Sequence, residues 1–321
     1  MNKKERTLRA MAGLPVDRVP VGFYTHFSAE DDAAVAGQVD WCKRTDMDVL
    51  CVETDGLMGF FSDTALRTVQ DWKGIRPHGP ESAYMQRHLY RAGKIAEAMQ
   101  DGAAVYYMLF TPFSTIKHTF GGETHVMDLW REDKGAVQTA MQVIEEDNFT
   151  LSRLLKEKTG IDGLFVSLQN CEVDRFTPQE YVEALKPWDI RLLDYVNSLY
   201  EHNIVHMCSW VGTPNFIDLW QDYPYETVNW GTFIEKDLQL AQGRAFFKPG
   251  TTLMGGFDNR PGKILQCATP EQVKTYTKEL IASAGAERLI LCADCSVQQD
   301  TPDVNIRAVV EGAQEYAQGD R

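Results

Sequence analysis

One histidine and two cysteines in this sequence have the types and the spacing of a zinc site. His206 and Cys208 are two residues apart in a predicted strand, so their side chains project from the same face. Their β-carbons would be roughly 6–7 Å apart, which suits one zinc ion bonded at about 2.0–2.3 Å to each side chain. Cys295 follows the last predicted strand. Three protein ligands would leave the fourth position of a tetrahedral zinc open, which is typical of catalytic sites.

Two other interpretations of these residues stay open at this point. His206 and Cys208 could be an ordinary core histidine beside a small buried thiol. Cys292 and Cys295 form a Cys-x-x-Cys pair, which is typical of redox dithiols and of some zinc sites. Cys292 ends an apolar run, however, so we expect it in the core, and we interpret Cys171 as a packing residue.

The other candidate residues follow the ends of predicted strands. Three carboxylates could act as acids or bases or orient a metal-bound histidine, or could be solvated loop residues: Glu53, Asp55 and Asp258. A second group, rich in aromatic and amide side chains, is predicted to bind a substrate: Tyr24, His26, Phe113, Gln169, Trp210 and Asn229. Three further aromatic residues would extend an apolar wall there: Phe27, Phe110 and Trp230.

Short apolar, β-branched runs alternate with amphipathic helical patterns along the chain. The predicted strands are 19–24, 48–53, 104–110, 163–168, 204–209, 226–230, 252–257 and 288–292. The predicted helices include 134–158, 178–202, 234–243, 270–284 and 302–318, and three of them begin at a Thr-Pro pair. Eight such units in 321 residues predict a (β/α)8 TIM barrel. Active sites of these barrels lie at the C-terminal ends of the strands, where the candidate residues fall.

An open, doubly wound sheet is the rival architecture. It would be favoured by a glycine-rich fingerprint after the first strand, and residues 21–26 do not form one. No linker or break in composition divides the chain. We therefore expect one barrel domain over residues 1–321, with the poorly periodic segment 54–101 crossing the barrel mouth.

The composition argues against several kinds of partner. Lys and Arg total 32 and Asp and Glu total 46, and the resulting net charge of −14 disfavours nucleic acid. No run approaches the ~18 apolar residues of a membrane span, and the N-terminus lacks the apolar core of a signal peptide. We therefore expect a cytoplasmic protein, away from membranes, whose 7 cysteines are mostly reduced.

Six segments resemble uroporphyrinogen decarboxylase-like proteins, in the same order along the chain. They are ERTLRAMAG (5–13), DRVP (17–20), GIDGLF (160–165), TPQEY (177–181), MGGFD (254–258) and CSVQQDTPDVN (295–305). The resemblance covers most of the chain and implies an eight-stranded barrel. Uroporphyrinogen decarboxylases carry an arginine-rich motif soon after the first strand, which binds substrate carboxylates. This sequence has Phe-Tyr-Thr-His-Phe-Ser at 23–28 instead, which argues against porphyrinogen decarboxylation.

His206, Cys208 and Cys295 match the His-x-Cys…Cys zinc pattern of the corrinoid-linked methyltransferase branch of that superfamily. The match implies zinc bound by these three side chains, and a methyl group moved between a corrinoid (cobalamin) and a small molecule. In relatives a glycine often follows the His-x-Cys, whereas Ser209 and Trp210 follow it here, so the substrate is not carried over. Because the length accommodates the barrel alone, we expect a separate corrinoid protein as partner.

Zinc-dependent methyl transfer to or from a small thiol or methyl ether is the function that these patterns predict. Zinc can hold a thiol as thiolate or polarise an ether oxygen, and O-demethylation is one of the two directions. A cofactor-free decarboxylase of a small carboxylated substrate is an alternative. It would need cations at the rim, and the available ones are Arg67, Arg76, Arg175 and Arg260. A non-catalytic binding protein with a structural zinc is the other alternative.

Overall fold

A parallel eight-stranded sheet forms the centre of the computed structural model, which describes residues 1–100, 102–120, 123–209, 212–235 and 238–319. The strands follow chain order: β1 Gly22–Phe23, β2 Val49–Val52, β3 Ala104–Phe110, β4 Gly163–Leu168, β5 Ile204–Met207, β6 Thr227–Trp230, β7 Thr252–Phe257 and β8 Leu289–Ala293. Val21 pairs with Leu291 in a parallel bridge, so that the first strand meets the last. The predicted (β/α)8 TIM barrel is therefore confirmed.

Helices surround this barrel and connect its strands. They are α1 Lys3–Met11, α2 Asp31–Thr45, α3 Val69–Gly74, α4 Ala83–Met99, α5 Pro112–Thr119, α6 Glu123–Glu132, α7 Lys134–Lys158, α8 Pro178–Ala184, α9 Lys186–Leu199, α10 Leu240–Phe246, α11 Ile264–Cys267, α12 Pro270–Ala284 and α13 Asp303–Ala317. A short 3-10 helix covers Ile217–Trp220. None of the helices in the described ranges is long and apolar enough to cross a membrane.

The first strand is shorter than predicted because the N–H groups at its N-terminal end do not join the strand ladder. Pro20 has no N–H to give to a strand ladder. The N–H of Val21 donates to the buried carboxylate of Asp48 at 2.9 Å. The same carboxylate binds Arg6 at 2.7 Å and Arg18 at 2.6 Å, which ties α1 to the start of β2.

Two predicted helices also differ from the observed ones. The predicted helix 178–202 is divided into α8 and α9 at Leu185, where a proline occupies the start of α9. The predicted helix 234–243 is observed as α10, which begins at Leu240, and residues 236 and 237 lie outside the described ranges. The helical pattern there was therefore placed too early in the chain.

Threonine caps begin two of the helices that follow Thr-Pro pairs. The hydroxyls of Thr177 and Thr269 each accept from a backbone N–H, and both helices form complete capping boxes with proline in the first turn. The third pair behaves differently, because Pro302 itself is the N-cap of α13 and no side chain caps that helix.

The barrel is filled by its own side chains, and α1 covers its N-terminal end. The filling residues are Met11, Tyr24, Val49, Cys51, Ala104, Tyr106, Met108, Phe110, Phe165, Ile204, Met254, Ile290 and Cys292. The hydroxyl of Tyr106 donates to the Met11 sulfur at 3.0 Å, and Arg288 donates to the Met11 carbonyl at 2.7 Å. A larger apolar cluster lies between the strands and the helices. Because α1 occupies one end, a ligand reaches the interior from the C-terminal ends of the strands.

Candidate metal centre

Three possible metal ligands lie together at the C-terminal end of the barrel. His206 is on β5, Cys208 follows that strand directly, and Cys295 lies just beyond β8. Their ligand atoms are all within 4.8 Å of one another. His206 and Cys208 are buried, whereas Cys295 is half-buried. Two strands that are not neighbours in the sheet therefore bring together the three residues that were predicted as ligands.

Asn229 on β6 fixes the tautomer of His206. The amide nitrogen of Asn229 donates to the carbonyls of Met254 at 2.9 Å and Ala293 at 3.0 Å, so its oxygen must face the histidine. That oxygen lies 2.6 Å from Nδ1 of His206 and accepts from the Tyr24 hydroxyl at 3.2 Å. Nδ1 therefore carries the proton, and Nε2 keeps its lone pair.

Nε2 of His206 is the atom that this arrangement presents to a metal. It is buried and has no hydrogen-bond partner in the described part of the chain. The imidazole stacks on Phe165 with ring centroids 5.4 Å apart, and the Tyr24 ring meets it edge-on at 6.1 Å. Metal-binding histidines usually have their other ring nitrogen held by a hydrogen bond, as Asn229 does here.

Cys208 is held at its backbone on both sides. Its N–H donates to the Leu168 carbonyl at 3.0 Å, which continues the β4–β5 pairing by one residue. Its carbonyl accepts from the amide of Asn215 at 3.1 Å, and that amide also donates to the buried carboxylate of Glu235 at 2.8 Å. No spacing in the sequence signals this support, because Asn215 and Glu235 lie in separate loops.

The loop that carries Cys295 is also fixed. The Asp294 carboxylate accepts from the hydroxyl of Thr232 at 2.6 Å and from the N–H of Phe233 at 2.8 Å. Val297, on the other side of Cys295, donates its N–H to the carbonyl of Tyr24 at 2.8 Å. The third sulfur is therefore placed by bonds to two other parts of the rim.

The thiols of Cys208 and Cys295 differ in how readily they ionise. A hydrogen bond with Cys208 lowers the pKa of Cys295 well below that of a free thiol, against the effect of burial. The same bond and burial raise the pKa of Cys208. Cys295 is therefore the more readily ionised member, and thiolate is the form that binds metal.

A cavity of about 140 Å³ lies against this cluster. Besides the three possible ligands, its lining has an apolar part made by Tyr24, Met58, Met108 and Phe110, and a polar part made by His26, Glu53, His118, Ser167, Gln169 and Ser296. The predicted excursion of segment 54–101 reaches the cavity through Met58. The volume is below the ~300 Å³ at which pockets for drug-sized ligands begin, so the cavity suits a small molecule.

His26 and Asp55 form a pair at the edge of the cavity. Nδ1 of His26 lies 2.8 Å from the Asp55 carboxylate, and this hydrogen bond raises the pKa of His26 to about 9. Nε2 lies 3.3 Å from the hydroxyl of Ser296. At neutral pH the imidazole is therefore a cation that donates from both nitrogens. Asp55 does not line the cavity itself and affects it through His26.

Glu53 is the one predicted carboxylate that lines the cavity. Its side chain is buried, and burial raises its pKa to about 8. Gln38 holds its backbone, accepting from the Glu53 N–H at 2.9 Å and donating to its carbonyl at 3.3 Å. A carboxyl group with a pKa close to neutral can give or take a proton, as acid–base catalysis requires.

Gln169 lies in the cavity wall with His118, a residue that the sequence analysis did not select. Nε2 of His118 donates to the Gln169 side-chain oxygen at 3.2 Å. Burial lowers the pKa of His118 to about 3, so the ring is neutral. Phe110 packs against it with ring centroids 4.4 Å apart. His118 comes from helix α5 and not from a strand end, which is why strand-end positions did not reveal it.

Besides Asp55, three predicted site residues in the described ranges do not line the cavity. Phe113 packs in the helical layer, against Trp130 and Phe176 at 5.8 and 5.6 Å between ring centroids. Asn229 lies beneath His206, with its amide occupied as described above. Asp258 accepts from Arg260 at 2.8 and 2.6 Å. Burial would raise the pKa of Asp258, but these bonds outweigh it and lower the pKa. Asp258 is therefore paired with an arginine, and its role as an acid or base stays a prediction.

The aromatic wall is smaller than predicted. Trp230 is buried between the sheet and the helices, where its indole N–H donates to the Leu238 carbonyl at 2.8 Å. Phe27 packs against Trp41 with ring centroids 6.0 Å apart, outside the cavity. Trp210 lies outside the described residues, so its predicted role in substrate binding stays a prediction.

The other cysteines that were considered are packing residues, as predicted. Cys292 is fully buried in the barrel interior, and burial raises the pKa of its thiol well above the ordinary value. Cys171 is buried in the outer core, where its thiol donates to the carbonyl of Phe216 at 3.6 Å. Neither belongs to the cluster of possible ligands.

The fold and the convergence of a histidine and two cysteines at the C-terminal rim define the class as TIM-barrel proteins with three side chains there that could hold a metal ion. Within that class, the chain belongs to the uroporphyrinogen decarboxylase (URO-D) family, whose sequence profile matches residues 47–316. The predicted family is therefore confirmed. No curated protein sequence matches the chain.

Solved structures share the fold over almost the whole chain. A methyltransferase from Methanosarcina mazei is 16% identical, with a TM-score of 0.78 over 98% of this chain and 99% of that one. A B12-independent methionine synthase from Shewanella sp. W3-18-1 is 12% identical, with a TM-score of 0.55 over 94% of this chain and 98% of that one. At these identities the similarity shows the fold.

Proposed function

We propose that this protein is a zinc-dependent methyltransferase, which moves a methyl group between a corrinoid on a separate partner protein and a small thiol or methyl ether. The unpaired, buried Nε2 of His206 beside the sulfurs of Cys208 and Cys295 is the observation that carries this proposal. One imidazole and two thiols suit zinc, since both are ligands that zinc prefers. Three ligands leave one position for a reacting molecule.

The residues around this set have separate roles in the proposed reaction. His206, Cys208 and Cys295 would hold zinc, which lowers the pKa of a thiol or polarises an ether oxygen when bound. Asn229 keeps Nε2 of His206 directed at that position. Tyr24, Gln169 and the other cavity residues would surround the small molecule.

The acid–base roles fall on one side of the cavity. Glu53 is the residue placed to orient the reacting group or exchange a proton with it, because its buried carboxyl lines the cavity. Asp55 positions His26, whose cation supplies a hydrogen-bond donor at the entrance. Similarity of fold to a methyltransferase and to a methionine synthase also supports methyl transfer.

Decarboxylation without a cofactor has less support. None of the described residues that line the cavity is an arginine or lysine, although such an enzyme would need cations for its substrate carboxylates. The side chain of Arg175 is 5% exposed and binds Glu172 at 3.0 Å, and Arg260 is bound to Asp258. Arg67 and Arg76 are exposed and lie outside the cavity. Among these candidate cations and the described cavity residues, His26 is the cation left to bind a substrate carboxylate.

Methyl transfer is expected to require the metal. Removing zinc with a chelator should abolish transfer and not merely slow it, because none of the described cavity residues can replace a metal ion as a Lewis acid. Metal-free and zinc-restored protein are incubated with methylcobalamin and a panel of thiols, and with cob(I)alamin and a panel of methyl ethers. The corrinoid spectrum is followed in both directions. If zinc changes the spectrum with none of these compounds, the proposal is wrong and the decarboxylase alternative gains support.

A further inference from the structure

The side chain of Glu53 has a buried oxygen without a partner. The residue is 3% exposed, and Oε2 has no hydrogen-bond partner in the described part of the chain. Gln38 holds the Glu53 backbone by two hydrogen bonds, which fixes the point from which the side chain extends. The side chain lines the same cavity as His206, Cys208 and Cys295. Since buried polar atoms are almost always paired, a molecule in the cavity is the natural source of the missing partner.

The surroundings restrict what that partner can be. Met58, Met108 and Phe110 make part of the cavity wall apolar, so a charged group against them loses hydration. His26 already places a positive charge close enough to act on the Glu53 carboxyl, which disfavours a second cation such as an ammonium group. An alkyl group would leave Oε2 unpaired.

A hydroxyl group satisfies these conditions. It is neutral, and it can donate to an ionised carboxylate or accept from a protonated one. This matters because burial raises the pKa of Glu53 to about 8, so that both forms exist near neutral pH. The hydroxyl must lie near the reacting atom, because Glu53 and the three possible metal ligands surround one small cavity.

We propose that Glu53 binds a hydroxyl group of the molecule that reacts at the metal. The substrates are then small hydroxylated thiols or hydroxylated methyl ethers. This inference rests on the methyltransferase function proposed above. Glu53 is then the residue that sets substrate class. The hydroxyl would be held a few bonds from the thiol or ether group that occupies the open position beside Cys208 and Cys295.

Three thiols of nearly equal size test this inference directly. They are 2-mercaptoethanol, 1-propanethiol and 2-aminoethanethiol, which end in a hydroxyl, a methyl and an ammonium group. Titration calorimetry with purified zinc-loaded protein and no methyl donor should give the hydroxylated thiol a Kd about tenfold below the other two, as the loss of one hydrogen bond implies. The matched ethers 2-methoxyethanol and 1-methoxypropane test the other substrate type in the same way.

Two variants show whether Glu53 is the cause. Glu53→Leu should abolish the tenfold preference for the hydroxylated compound, so that the Kd values become about equal, because leucine removes the polar group at similar size. Glu53→Gln should retain the preference, because a carboxamide also donates and accepts. If the leucine variant does not fold, Glu53→Met replaces it, because methionine also removes the polar group and keeps an unbranched side chain. A hydroxyl preference that persists in a folded leucine or methionine variant overturns the inference. Equal Kd values within both series, tighter binding of the ammonium compound, or no binding in either series overturns the inference.

The outcome for substrate class is separate from the outcome for methyl transfer. A hydroxyl preference in calorimetry that depends on Glu53, without methyl transfer in the corrinoid assay, would contradict the proposed function and support the role of Glu53. Methyl transfer to all three thiols with equal Kd values would support the function and overturn the role of Glu53.

Discussion

Replacing Cys208 with alanine is expected to remove zinc from the protein while the barrel stays folded. The variant loses one of three protein ligands, so its zinc affinity should fall by more than the roughly 10–100-fold that follows loss of a supporting hydrogen bond. Cys208 lies at the rim, beyond the end of β5, and the barrel interior does not depend on its side chain. Metal analysis after dialysis gives the zinc content, and circular dichroism gives the folded state.

Cys292→Ala is the matched control. This thiol is also buried, but it belongs to the packed interior and not to the cluster of possible ligands. Its loss should lower the free energy of unfolding by about 1 kcal/mol and leave about one zinc per chain. Stoichiometric zinc in the Cys208→Ala protein would contradict the assigned ligands. Loss of zinc in the Cys292→Ala protein would show that the Cys-x-x-Cys pair binds the metal.

Asn229→Ala should weaken both the metal site and the fold. His206 would lose the acceptor that keeps the proton on Nδ1, so zinc affinity should fall roughly 10–100-fold. The carbonyls of Met254 and Ala293 would lose their donor, and the free energy of unfolding should fall by about 3 kcal/mol. Chelator competition measures the affinity, and denaturant unfolding of metal-free protein measures the stability without a contribution from zinc binding.

Tyr24→Phe is the control for the Asn229→Ala variant. It removes the second donor to the same Asn229 oxygen and leaves the bond to His206 in place. The free energy of unfolding should fall by about 1 kcal/mol, with zinc affinity nearly unchanged. If Asn229→Ala and Tyr24→Phe bind zinc equally well, Asn229 does not control the tautomer of His206.

The barrel could be predicted because its strands are local patterns. The bounds of β3, β4 and β7 agree with the predicted runs at both ends, since each run is apolar and is followed by a helical pattern. The first strand could not be predicted in the same way. Its length is set by Asp48, which takes the N–H of Val21 and is brought there by Arg6 and Arg18.

The three possible metal ligands could also be predicted, because side chains two residues apart on a strand face the same way and β8 ends at the same rim. The resemblance to corrinoid-linked methyltransferases then favoured metal ligands over ordinary core residues. The position of Asn229 could not be predicted from the sequence. A strand-end residue can line the cavity or lie one layer beneath it, and only the pairing of Asn229 with His206 across β5 and β6 shows which. Phe113 was misplaced because it follows β3 on a helix, whose start at Pro112 decides the direction of the side chain.

X-ray absorption at the zinc K-edge of the purified wild-type protein tests the metal centre most directly. Ligation by His206, Cys208 and Cys295 predicts two sulfur neighbours at about 2.3 Å and two nitrogen or oxygen neighbours at about 2.0–2.1 Å, of which one is exchangeable. The measurement counts sulfur and light-atom neighbours without assuming any substrate. A protein that binds no zinc, or a spectrum with four sulfur neighbours or with none, would contradict the zinc centre on which the proposed methyl transfer depends.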